Sequence, residues 1–172
     1  MLTEMLKEKQ TYIFNLLDFD NNGYIEEVDF IGIGENLCII RGEELDTPES
    51  NNIMEVCKRL WADLKYCTDE NRDDKCTLDE WLNFVDNKLT GNFNDYAIDM
   101  VNNLFDLYDV DSDGQISLDE YLDLFMSFRL EASLIAKTFK NIDKNGDQHI
   151  TKEEFIGAAG LFLQGEESVT AN

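Results

Sequence analysis

Apolar side chains recur at intervals of three and four residues in four stretches, and each stretch runs into a polar, acidic segment. Leu2, Met5, Leu6, Ile13, Leu16 and Leu17 share one helical face. The same spacing joins Ile53, Val56, Cys57, Leu60, Trp61 and Leu64, then Val101, Leu104, Phe105 and Tyr108, and a shorter stripe of Ile135, Thr138, Phe139 and Ile142. This is the period of a helix and not the alternation of a strand. Thr47 is placed to cap a helix, with Pro48 at its first position and Glu49 in the positive end of its dipole. The pattern predicts an all-α chain of eight helices separated by four polar loops.

The loops are repeats of one another. Four windows begin with an aspartate and end eleven positions later on another acid: 18–29 (DFDNNGYIEEVD), 69–80 (DENRDDKCTLDE), 109–120 (DVDSDGQISLDE) and 143–154 (DKNGDQHITKEE). An aromatic follows each one at once: Phe30, Trp81, Tyr121 and Phe155. Phenylalanine stands four residues before three of them, at Phe14, Phe105 and Phe139, while the second window has Lys65 there, with Trp61 one turn earlier.

Such a loop between two helices suits a hard cation. Calcium takes six to eight oxygens, and a twelve-residue loop supplies them from positions 1, 3, 5, 7, 9 and 12. Position 7 gives a backbone carbonyl, position 9 often acts through water, and position 12 gives a two-oxygen carboxylate. Position 6 must turn sharply, which favours glycine, and position 8 is apolar and expected to pair with its counterpart in the neighbouring loop. The third window meets every requirement with Asp109, Asp111, Asp113, Gly114, Gln115, Ile116, Ser117 and Glu120. The first has Asp18, Asp20, Asn22, Gly23, Tyr24, Ile25 and Glu26 in order, but Asp29 closes it. Aspartate is one methylene shorter than glutamate, so magnesium is expected to compete best at this loop.

The fourth window offers Asp143, Asn145, Asp147, the carbonyl of His149, Thr151 and Glu154, but its glycine, Gly146, sits at position 4, leaving Gln148 at the turn. A non-glycine residue there is expected to cost on the order of 1 kcal/mol and to weaken binding severalfold. The second window offers Asp69, Asn71, Asp73, the carbonyl of Lys75 and Glu80, with Asp74 at the turn and Cys76 at position 8. Arg72 and Lys75 bring positive charge near this loop, although both side chains can point outward. The side chain of His149 is expected to be exposed, and Trp61 and Trp81 to belong to the core.

These residues resemble the EF-hand superfamily over almost the whole chain. Within it they are similar to invertebrate sarcoplasmic calcium-binding proteins and calexcitin. The long interval between the first two loops, Asp29 at its position 12, and the run Thr68-Asp69-Glu70-Asn71-Arg72-Asp73-Asp74 with Asp79-Glu80-Trp81-Leu82 carry that likeness. The resemblance implies four EF-hand units in two paired lobes packed into a compact globule, in the cytosol of excitable or muscle tissue. The pairs fall at 1–88 and 95–164, with a tail over 165–172. It also implies that a second loop without glycine can bind calcium. Calexcitin-like proteins have a degenerate fourth loop, whereas the ligands of 143–154 are intact here. A further resemblance is to coelenterazine photoproteins and luciferin-binding proteins. Photoprotein chemistry needs several histidines, and this chain has His149 alone.

Composition narrows the function. The formal net charge of −23 over 172 residues repels phosphate backbones and anionic headgroups, so nucleic acid is not an expected partner. No apolar run is long enough to span a bilayer, and Met1-Leu2-Thr3-Glu4 has no apolar segment of a secretory signal. The four cysteines, Cys38, Cys57, Cys67 and Cys76, lack CxxC spacing and are expected to be reduced thiols in a cytoplasmic protein. The carboxylates are spaced as ligands and not as an acid–base pair, so no enzyme activity is expected. The chain reads as a monomeric calcium buffer or signal modulator acting through three or four loops. The alternatives are a sensor that exposes an apolar groove for a protein target and a calcium-gated carrier of a small apolar ligand. Five methionines are few for a promiscuous groove, and the 11% aromatic content suggests halves joined through aromatic side chains.

Overall fold

The structure, a computed structural model, describes residues 2–89 and 95–164. The tail over 165–172 and residues 90–94, between the two expected pairs, lie outside the described residues.

Helix α1 (Glu4–Leu17) leads into loop 18–29, which holds the short strand β1 (Tyr24–Ile25), and α2 (Glu27–Arg41) leaves it. The second unit is α3 (Pro48–Thr68), β2 (Cys76–Thr77) and α4 (Leu78–Phe84), which runs on as a π-helical turn, Val85–Leu89. The third is α5 (Asp95–Tyr108), β3 (Gln115–Ser117) and α6 (Leu118–Ser127), and the fourth α7 (Ala132–Ile142), β4 (His149–Thr151) and α8 (Lys152–Gln164). The helix limits follow local chemistry. Thr47 and Ser50 cap α3 reciprocally: the Thr47 hydroxyl accepts from the Ser50 N–H at 3.1 Å, and the Ser50 hydroxyl from the Thr47 N–H at 3.0 Å. Helix α2 stops at Gly42, whose φ of 70° brings its N–H to the Ile39 carbonyl and that of Glu43 to Cys38.

The loops pair as antiparallel ribbons. Strand β1 lies against β2 with Tyr24 opposite Thr77 and Ile25 opposite Cys76, and β3 lies against β4 with Ile116 opposite Ile150 at the centre. Ile25, Cys76, Ile116 and Ile150 are all fully buried, so position 8 of every loop is a core residue.

The aromatic side chains that follow the loops fill the interior. Phe30 meets Trp61 at a ring separation of 6.0 Å. Tyr121 sits between Phe125 at 4.5 Å and Phe139 at 5.4 Å, and Tyr108 meets Phe155 at 5.2 Å. Both tryptophans are core residues, and the Trp81 indole N–H donates to the Gln10 carbonyl at 3.0 Å. Each of these ring pairs lies within one half of the chain, so among the described residues these stacked rings do not join the halves. They meet through α2 on α6 and α3 on α5, fastened by polar groups. Asn36 Nδ2 donates to the Ser127 carbonyl at 2.8 Å and Asn103 Nδ2 to Asp63 Oδ2 at 2.6 Å. Arg129 lays its guanidinium 3.8 Å above the Phe19 ring and donates to the Phe19 carbonyl at 3.3 Å.

All four cysteines are free thiols, and Cys38, Cys57 and Cys76 are buried. Burial pushes the Cys57 thiol up to about 12 and that of Cys76 up to about 11. The reactive thiolate is therefore nearly absent from both at pH 8. A thiol reagent at pH 8 should modify the half-buried Cys67 first, and the other three only as the protein unfolds. Mass mapping of the modified cysteines checks this.

Candidate metal centres

The same hydrogen-bond scheme runs through all four loops. The aspartate at position 1 accepts two backbone N–H groups from its own turn. Asp18 takes those of Asn22 and Gly23 at 3.0 and 2.9 Å, and Asp109 those of Asp113 and Gly114 at 3.0 and 2.9 Å. Asp69 takes Asp73 and Asp74 in the same way. Asp143 takes Gly146 and Gln148, one residue earlier in the first case. The residue at position 3 (Asp20, Asn71, Asp111, Asn145) accepts from the N–H of position 5 at 2.8–3.2 Å. The residue at position 5 (Asn22, Asp73, Asp113, Asp147) accepts from that of position 7 at 2.8–3.1 Å.

Position 12 closes each loop. Glu120 accepts from the Val110 N–H through one oxygen at 2.9 Å and from the Ser117 N–H and hydroxyl through the other, both at 2.8 Å. Glu154 does the same with Lys144 and Thr151, and Glu80 holds the N–H and hydroxyl of Thr77. Asp29 reaches equivalent groups despite its shorter side chain: Oδ1 accepts from Phe19 and Asp20 at 2.9 and 3.1 Å, and Oδ2 from Glu26 at 2.7 Å. It can do so because it is pulled inward and is almost fully buried.

The backbone corrects the reading of the glycines. Position 6 is left-handed in every loop (Gly23, Asp74, Gly114, Gln148), and so is position 4 (Asn21, Arg72, Ser112, Gly146). Gly146 is therefore not a displaced turn glycine. It relieves position 4 as Gly23 and Gly114 relieve position 6, which leaves one non-glycine left-handed residue in loops 18–29, 109–120 and 143–154. Loop 69–80 has two, Arg72 and Asp74.

Charge separates the loops in a second way. Asp18, Asp20 and Asp29 bring carboxylate oxygens within 4.8 Å of one another, as do Asp109, Asp111 and Glu120. In the other two loops an amide, Asn71 or Asn145, takes the middle position. Desolvation by burial raises the pKa of Asp29 and of Asp109 against the hydrogen bonds they accept. For Glu80, burial acts the same way, but the N–H groups of Thr77, Asn71 and Glu70 and the Thr77 hydroxyl outweigh it, and its pKa is lowered. Hydrogen bonding, led by the Thr151 N–H, lowers that of Glu154. A donor set of oxygens alone, mostly carboxylate, fits a hard divalent cation.

One side chain differs from expectation, and another makes a contact across the ribbon. His149 is half-buried, not exposed, and its Nδ1 is shielded from solvent. Lys75 points away from its own loop and places its ammonium 3.0 Å from Glu26 Oε1, in loop 18–29. Glu26 is the one position-9 residue with a carboxylate.

Comparison with known proteins follows the same lines. The family model described as EF hand matches residues 102–126 and 134–157, and that described as EF-hand domain pair matches 1–36. These segments contain loops 109–120, 143–154 and 18–29. These three segments are EF hands. The chain is 28% identical over 164 residues to the sarcoplasmic calcium-binding protein alpha chain of Penaeus vannamei, covering 91% of this chain and 80% of that one. Among solved structures it is similar to the calcium-loaded apo form of the coelenterazine-binding protein from Renilla muelleri, with a TM-score of 0.80 at 19% identity. It is also similar to a sarcoplasmic calcium-binding protein from amphioxus, with a TM-score of 0.71 at 20% identity. Both alignments cover 98% of this chain and 94% of the other, and both speak to the fold.

The left-handed residues give a direct test. Gln148→Gly should tighten metal binding at loop 143–154 by about fivefold, and Gly146→Ala should weaken it comparably, each from about 1 kcal/mol of backbone strain. Calcium titration calorimetry of both variants checks the pair.

Proposed function

We propose that this chain is a cytoplasmic calcium buffer or signal modulator of the sarcoplasmic calcium-binding type, working as a monomer. Its ligands are the residues named above, in two pairs at 1–88 and 95–164. Loops 18–29 and 109–120 carry the strongest sites, loops 143–154 and 69–80 weaker ones, and magnesium competes at the first.

One observation carries the choice of buffer over sensor. A sensor must have an apolar face free to be uncovered for a target helix. Here the helices that leave the two strongest loops, α2 and α6, pack against each other across the halves, and their side chains Phe30, Ile33, Leu37, Tyr121 and Leu124 are buried in the core. The larger exposed apolar residues, such as Ile39, Tyr66 and Val110, are scattered along the chain. No described helix is long and apolar enough to cross a membrane. The carrier reading has one observation in its favour: the Gln10 side chain is fully buried with neither amide atom hydrogen-bonded.

Calcium should raise the melting temperature relative to chelator, because binding to the folded state alone stabilises it by mass action. A dye for exposed apolar surface should bind weakly in both states. Strong dye binding with calcium only would make the chain a sensor, and an unchanged melting temperature would remove the calcium reading altogether. Asp109→Ala should lower the calorimetric stoichiometry by one ion.

A further inference from the structure

The register of the first ribbon makes Lys75 and Glu26 a cross-strand pair. Tyr24 faces Thr77 and Ile25 faces Cys76, so the next step places Glu26 opposite Lys75. Their side chains meet: Lys75 Nζ lies 3.0 Å from Glu26 Oε1, and the same oxygen accepts from Asn22 Nδ2 at 3.2 Å. The ammonium also sits 4.6 Å from the centre of the Tyr24 ring. In the second ribbon the equivalent pair is Ser117 and His149, which puts no lysine there. Position 7 of loop 69–80 therefore contributes twice, with its carbonyl to its own loop and its charge to the neighbouring one.

We propose that Lys75 sets the calcium-to-magnesium selectivity of loop 18–29 by holding Glu26 out of the ion's inner shell. The proposal rests on the reading of that loop as a divalent-cation site. Glu26 stands at position 9, where a carboxylate can bind the ion directly or through water. Lys75 and Asn22 already occupy Oε1, and the ammonium offsets one of the loop's four ligand carboxylates, Asp18, Asp20, Glu26 and Asp29. With Asp29 too short for easy two-oxygen closure, the shell is held near six oxygens. Six suits magnesium, whereas calcium gains from seven or eight. Removing the ammonium frees Glu26 to join the shell and restores its charge. Calcium should benefit more than magnesium, and the effect should shrink in high salt because the pair is partly exposed.

Lys75→Met tests this, since it keeps the backbone carbonyl that loop 69–80 uses. Terbium luminescence excited through Tyr24, the aromatic at position 7 of loop 18–29, reports that loop, with Tyr24→Phe assigning the signal. Displacement of terbium by calcium and by magnesium gives the two affinities. Lys75→Met should tighten calcium three- to tenfold and raise the calcium-to-magnesium ratio at least threefold, while Lys75→Arg stays near wild type. In a Glu26→Gln background the same change should move either affinity less than twofold. Normal wild-type binding with an unchanged ratio in Lys75→Met overturns this inference alone, and so does an equal effect with Glu26→Gln present. A wild type whose terbium signal survives Asp18→Ala overturns the loop assignment and this inference together.

Discussion

Each loop is closed by a single carboxylate that faces two ways. One oxygen of Glu120 holds an N–H at the start of its loop, and the other holds the first turn of α6. Glu154 repeats this in α8, and Asp29 achieves it in α2 by being drawn further inside. The residue after each carboxylate is Phe30, Trp81, Tyr121 or Phe155, all buried. Ion site, helix cap and core anchor thus occupy two consecutive residues. A change in how position 12 is held moves an aromatic ring, and the rings are the core. The loops cannot be treated as ornaments on a helical scaffold, because they set the angle at which each helix leaves and where its first large side chain lands.

That arrangement carries electrostatic tension, unevenly shared. A carboxylate whose folded pKa lies above its ordinary value destabilises the fold once ionised, and the cost grows as pH rises through the interval between the two values. Asp29 and Asp109 are in this position because burial outweighs the N–H groups they accept. Glu80 and Glu154 have the opposite sign, and their contribution is lost only as pH falls through their lowered values. Among these four groups the strain of unneutralised charge at neutral pH falls on Asp29 and Asp109. A divalent ion bound in either loop would relieve it there.

Much of this was legible in the sequence because it is local. The twelve-residue spacing, the apolar position 8 and the 3.6-residue stripes each depend on neighbours within one or two turns, and helices, ribbons and burial of Ile25, Cys76, Ile116 and Ile150 follow from them. What escaped the sequence was of two kinds. The left-handed backbone at position 4 has no compositional mark, since Asn21, Arg72, Ser112 and Gly146 are four different residues, so Gly146 looked misplaced when it was serving a second turn. The contacts between halves span 40 to 110 positions and have no period. Nothing local marks Asn36 for Ser127 or Arg129 for Phe19. Lys75 lay between these cases: the pairing of positions 8 implied its partner, but its charge was weighed against its own loop and not against the loop across the ribbon.

The two loops with the most ligand charge are also the two joined across the halves. Phe19, at position 2 of loop 18–29, gives its N–H to Asp29 and its ring to Arg129 from the other half. Gly32 leaves room for that ring, since a Cβ there would come within 2.9 Å of it. In the reverse direction Arg41, at the end of α2, lies 3.8 Å from Asp123 on α6, one turn beyond Glu120. Its guanidinium is mostly buried, two of its nitrogens lack hydrogen-bond partners, and desolvation lowers its pKa despite the acids around it. A buried charge left partly uncompensated is expensive to keep dry and still more constrained by its neighbours when they move. Separating α2 from α6 would open their packed faces while parting Arg41 from Asp123 and Arg129 from Phe19 in one step. Apolar burial and the two cross-half arginines therefore resist the same motion, and metal binding in loop 18–29 or 109–120 acts on a joint that is already closed. On the buffer reading proposed above, metal binding tightens such a joint and uncovers no groove.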